Sequence, residues 1–177
     1  MTRGVRGDRP KMRGDSTLQP RATRPAPPSQ LIPPRSTSDN VRVQKAMKRV
    51  LFVCIGNSCR SQMAEAFARA YGSDVLTAYS AGLAPAAIVA PLTRQVLTEK
   101  NVACEGQVPK ALEAFAGERF EVVVNLSGEP LPATVATNHV IEWQVRDPIG
   151  KSETLYRKVA AQIEALVMRL ILELRGS

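Results

Sequence analysis

Val50-Leu51-Phe52-Val53-Cys54-Ile55-Gly56-Asn57-Ser58-Cys59-Arg60-Ser61-Gln62-Met63-Ala64-Glu65 is the stretch that decides the fold. A run of apolar, strand-forming residues ends at a cysteine, a short loop carrying Gly56 and Asn57 follows, and Arg60-Ser61 opens a helix-forming segment. Strand, tight loop and helix N-terminus in that order make an anion site, because loop amides and the positive end of the helix dipole converge on one point. Five residues separate Cys54 from Arg60, enough for the backbone to circle a tetrahedral oxyanion once.

The residue types suit that chemistry. Thiolate is the reactive form of cysteine, and helix N-termini and neighbouring cations favour it, so Cys54 is the expected nucleophile. Arg60 brings a planar fork that meets two oxygens at once, which lysine does not. Gly56 and Asn57 tolerate the left-handed backbone angles a tight loop needs, and Ser61 is placed to donate its hydroxyl to the Cys54 sulfur. Ile55, Gly56, Asn57, Ser58, Cys59, Arg60 and Ser61 are the expected anion-binding set. Cys59 is also the expected redox partner of Cys54, since a disulfide within the loop would guard the nucleophile against over-oxidation.

Outward from the loop, periodicity predicts a helix over about 62–71 with Met63, Ala66, Phe67 and Ala70 inward, stopped at Gly72. A strand is expected over about 75–80, a turn at Ser80-Ala81-Gly82, a helix opened by Pro91 and ending near Asn101, and a helical piece over 110–115. The β-branched run over 120–126 reads as a central buried strand, 140–143 as the last strand, and 152–174 as a final helix with Leu155, Val159, Ile163, Leu166, Leu170 and Leu174 on one stripe. This order predicts a doubly wound α/β fold: a four-stranded parallel sheet in flavodoxin-like order 2-1-3-4, helices on both faces, the loop at the topological switch point.

Val53-Cys54 through Arg60-Ser61, continuing Gln62-Met63-Ala64-Glu65-Ala66, resembles the active-site signature of low-molecular-weight protein tyrosine phosphatases and the related thioredoxin-coupled arsenate reductases. Gly56-Asn57-Ser58-Cys59-Arg60-Ser61-Gln62-Met63-Ala64-Glu65 is similar to the arsenate reductase branch in particular. The resemblance implies a phosphomonoesterase working through a cysteinyl-phosphate, with a phosphoprotein or small phosphomonoester as substrate. It implies that Asp147, in Arg146-Asp147-Pro148-Ile149-Gly150, is the general acid that protonates the leaving oxygen and then activates water.

The first alternative is arsenate reduction, with an external thiol or redoxin resolving the adduct; the second is a non-catalytic module that binds phospho-ligands. In the arsenate reductases the position resembling Ser127 carries a cysteine that begins a disulfide relay, and this chain has no cysteine after Cys104. The internal relay is therefore absent. The stretch Leu83-Ala84-Pro85-Ala86-Ala87-Ile88, which the resemblance places at the substrate mouth, is apolar and has no ring to stack on an aryl ester.

The chain of 177 residues is long enough for one such domain plus an appendage. Residues 1–46 hold seven of the 13 prolines and ten basic residues against three aspartates, and are expected to be a disordered, basic N-terminal extension. Met47-Lys48-Arg49-Val50 reads as an alternative natural start, which makes 47–177 the expected domain. The extension has no aromatic residue to stack on bases, so no specific nucleic-acid binding is expected. No secretory h-region and no membrane-spanning run is present, and the sparse cysteines fit a reducing, cytoplasmic compartment. One histidine, His139, and three scattered cysteines cannot assemble a zinc set, and neither metal nor cofactor is expected.

Overall fold

The computed structural model describes residues 47–177; the expected N-terminal extension lies outside the described residues. Strand β1 (Lys48–Cys54) and helix α1 (Arg60–Gly72) flank the loop, followed by β2 (Leu76–Gly82), α2 (Pro91–Glu99) and a 3-10 helix (Leu112–Phe115). Then come β3 (Arg119–Phe120), β4 (Val122–Asn125), β5 (Ala136–Thr137), β6 (Val140–Glu142) and α3 (Glu153–Gly176). The main sheet is four parallel strands in the order β2-β1-β4-β6. That is the expected 2-1-3-4 topology.

Alternation along β1 divides the core. Val50, Phe52 and Cys54 pack with α1, α2 and α3, while Leu51 and Val53 pack with Leu112, Phe115 and Phe120 on the other face. Helices thus cover both faces, the second through the 3-10 helix. Ser152 caps α3 by accepting the Leu155 N–H.

Two expectations change locally. The run over 120–126 is not one strand: Phe120 belongs to β3, which pairs with β5 in a separate two-stranded sheet, and the central strand begins at Val122. Glu121 marks the break, because its N–H goes to the Arg49 carbonyl and its carboxylate accepts the Arg49 N–H. Ser80-Ala81-Gly82 is the end of β2 rather than a turn, with Gly82 paired to Cys54. The pairing runs on beyond the expected end because Gly82 lies flush against the loop.

Candidate active site

The loop between β1 and α1 has its carbonyls pulled outward. Ile55, Gly56 and Ser58 carbonyls accept from the N–H groups of Ala84 (2.8 Å), Ala86 (2.9 Å) and Ala90 (3.0 Å), and the Ser58 carbonyl also accepts from the Thr93 hydroxyl (3.1 Å). The Asn57 carbonyl accepts from Gln62 Nε2 (2.9 Å). In a planar trans peptide the N–H points opposite to its C=O, so the amides of Gly56, Asn57, Ser58 and Cys59 are turned inward. With α1 beginning at Arg60, its free N-terminal amides and dipole join them. The result is a ring of donors around the point above Cys54.

Cys54 ends β1 and is only 3% exposed, beside a hollow of about 210 Å³. Its Sγ lies 3.0 Å from Ser61 Oγ. Since Ser61 Oγ already accepts from Asn57 Nδ2 (2.8 Å), the hydroxyl proton is free for the sulfur. Arg60, 5% exposed, gives Nη1 to the Leu126 (2.7 Å) and Val145 (3.2 Å) carbonyls and Nη2 to Asp147 Oδ2 (2.6 Å). Of its five N–H groups, Nε–H and one Nη2–H have no partner among the described residues. Nε and Nη2 form the edge of the guanidinium whose geometry can grip two oxygens of an anion.

Asp147 is held at the same hollow by two bonds, to Arg60 and from the Ile149 N–H to Oδ1 (3.1 Å). Asp147 thus stands on the rim of the hollow that Cys54 also lines. Ala86 and Ile149, the latter 46% exposed, complete the lining with apolar surface.

Of the expected anion-binding set, Ile55, Gly56, Ser58, Cys59 and Arg60 line the hollow; the side chains of Asn57 and Ser61 lie behind the loop, fully buried. Asn57 has φ 44° and every polar valence of its amide is used: Nδ2 donates to Ser61 and Ser80 (2.8 Å each), and Oδ1 accepts from the Lys110 N–H (2.7 Å) and Gln62 Nε2 (3.1 Å). The Ser80 hydroxyl donates to Glu65, whose carboxylate is also approached by Arg69 (3.2 Å) and Lys110 Nζ (3.7 Å). Sequence reading missed Gln62, Glu65, Ser80, Thr93 and Lys110 as supports of the loop. For Gln62 and Glu65 the signal was available: polar residues in a helix that is otherwise buried.

Burial pushes the Cys59 thiol up to about 12; the Thr93 hydroxyl and Arg60 oppose the shift, and Cys54 and Asp147 add to it. Both loop cysteines are free thiols. Cys104 is buried elsewhere and does not line the hollow, and His139 is exposed just before β6, on a separate groove of about 520 Å³. No group of three or more potential metal ligands occurs among the described residues, and none of their helices is long and apolar enough to cross a membrane.

A family model described as low molecular weight phosphotyrosine protein phosphatase matches residues 49–177. The chain is 38% identical over 128 residues to a protein of Synechocystis sp. named glutaredoxin arsenate reductase, covering 71% of this chain and 97% of that one. It is 34% identical over 125 residues to a Bacillus cereus protein named arsenate reductase, covering 69% and 92%. Among solved structures, an arsenate reductase in the phosphate binding state matches with a TM-score of 0.68 and 35% identity, over 72% of this chain and 99% of that one.

Proposed function

The chain belongs to the low molecular weight phosphotyrosine protein phosphatase family, and from that premise we propose that it reduces arsenate, with Cys54 as nucleophile and the reducing thiol supplied from outside. Sequence alone favoured ester hydrolysis, with arsenate reduction second. What reverses the order is the 38% match spanning 97% of a protein named for arsenate reduction. A mouth lined by Ala86 and Ile149, with no aromatic ring, supports it, since a small inorganic oxyanion needs no stacking partner.

The steps follow the geometry. Arsenate sits in the ring of amides with two oxygens on Arg60, and the Cys54 sulfur attacks arsenic while Asp147 protonates the departing oxygen. Ser61 holds the sulfur anion before attack. A thiolate from outside then attacks Cys54 Sγ, the sulfur–arsenic pair passes to arsenic, and arsenite leaves. The disulfide left on Cys54 is cleared by a second external thiol.

Purified protein given arsenate with thioredoxin, glutaredoxin or small-thiol systems is expected to release arsenite, and Cys54→Ser to release none. Thiol-independent hydrolysis of an aryl phosphate, with no arsenite under any reductant, would restore the phosphatase reading with Asp147 as acid and then base.

A further inference from the structure

Reduction of arsenic(V) to arsenic(III) takes two electrons, which thiols supply as two sulfurs joining in a disulfide. The full chain has three cysteines. Cys54 and Cys59 line one hollow, Cys104 is buried away from it, and Ser127 stands where the resemblance expects the first relay cysteine. Whether an outside sulfur or Cys59 displaces arsenic, the disulfide formed lies inside the same hollow. The electrons therefore enter at the mouth of the hollow and nowhere else.

The mouth has a distinctive edge. Residues 83–92 are ten consecutive residues without a polar side chain, and residues 84–88 are all exposed, Ile88 at 64%. An exposed apolar stretch beside a reactive hollow is available as a contact surface. It is also stiff, being fastened to the anion loop by the N–H groups of Ala84, Ala86 and Ala90. A preformed apolar surface binds without an ordering cost. Residues 84–88 themselves carry no charge with which to hold a charged tripeptide thiol, whereas they suit the apolar face of a protein.

We propose that residues 84–88, with Ile149 opposite, are the docking surface for a dithiol protein of the redoxin class, which delivers its sulfur directly into the Cys54 hollow. This rests on the arsenate-reduction reading. The partner's first thiolate attacks Cys54 Sγ, breaking the sulfur–arsenic bond with its electron pair to arsenic, or attacks a Cys54–Cys59 disulfide. Its second thiol then closes the partner's own disulfide and returns Cys54 as the thiolate.

The test compares wild type, Ile88→Glu and Leu172→Glu, the last an exposed apolar residue of α3 at the opposite end of the sheet. Arsenite release is driven by thioredoxin, by glutaredoxin, by glutathione and by dithiothreitol, the last two needing no docking surface. Ile88→Glu is expected to raise the redoxin KM about ten-fold or more while the dithiothreitol rate stays within about two-fold; Leu172→Glu is expected to change neither. An unchanged redoxin KM in Ile88→Glu overturns the proposal, as does an equal loss with redoxin and dithiothreitol. Wild-type turnover by glutathione alone, with no gain from either redoxin, overturns it too. Absence of arsenite from wild type with every thiol instead removes the arsenate reading itself, so the two failures are told apart.

Discussion

A Cβ added at Gly82 would stand 2.8 Å from the Ile55 carbonyl oxygen and 2.9 Å from the Asn57 backbone nitrogen, neither of which can swing away. Gly82→Ala is expected to cost about 1–3 kcal/mol by denaturant unfolding and to weaken phosphate binding, because the displaced atoms belong to the anion loop. Arg60→Lys keeps a charge but loses the paired donors, and arsenate turnover is expected to fall by about 100-fold or more. Cys59 gives a pH signature. Burial pushes its thiol up to about 12 in the fold, against ~8.5 in an unfolded chain, so above roughly pH 8.5 the unfolded state sheds the proton first and stability falls. Melting temperatures of wild type are expected to drop more than those of Cys59→Ser between roughly pH 8.5 and 10. Cys54, Arg60 and the loop were legible because their chemistry is contiguous in sequence. Asn57, Ser80 and Lys110 meet only in space: Ser80 lies at the end of one strand and Lys110 in a loop beyond the next helix, and no local pattern announces such a junction.

At the scale of elements, α3 carries much of the core. Ile163 is fully buried on it, and Ile163→Ala is expected to cost about 2–5 kcal/mol by denaturant unfolding, whereas Leu172→Ala on the exposed side should stay within about 0.5 kcal/mol. The helix was readable, its inner face only in part: Val159, Ile163, Leu170 and Leu174 are buried as expected, but so are Tyr156, Ala160, Val167 and Ile171, while Leu155 and Leu166 are half-buried. A single stripe underestimates a helix that packs against α1 and α2 as well as the sheet, where a wider face goes inside. The strand over 120–126 was misjudged for a related reason. Its β-branched character is real, but Phe120 turns to an aromatic cluster with Tyr79 and Phe115, and the chain changes sheets at Glu121. Composition reports that a segment is extended; it does not report which sheet receives it.

For the molecule as a whole, any tetrahedral anion held only by the folded loop stabilises the fold by mass action. Phosphate or arsenate at a hundred times its dissociation constant is expected to add about 2.7 kcal/mol, read as a rise in melting temperature that Arg60→Lys largely abolishes. The domain boundary at Met47 is a proposal with its own measurement: a chain started there is expected to show the same anion-induced rise, and a loss of that rise would move the boundary upstream. The hydrogen bonds from Ala84, Ala86 and Ala90 to the loop carbonyls have a consequence for traffic through the site. They make the lip and the seat one mechanical piece, so whatever grips the first also steadies the second. Any coupling between lip and seat is reciprocal: the factor by which a partner at the first changes anion affinity at the second is the factor by which the anion changes the partner's.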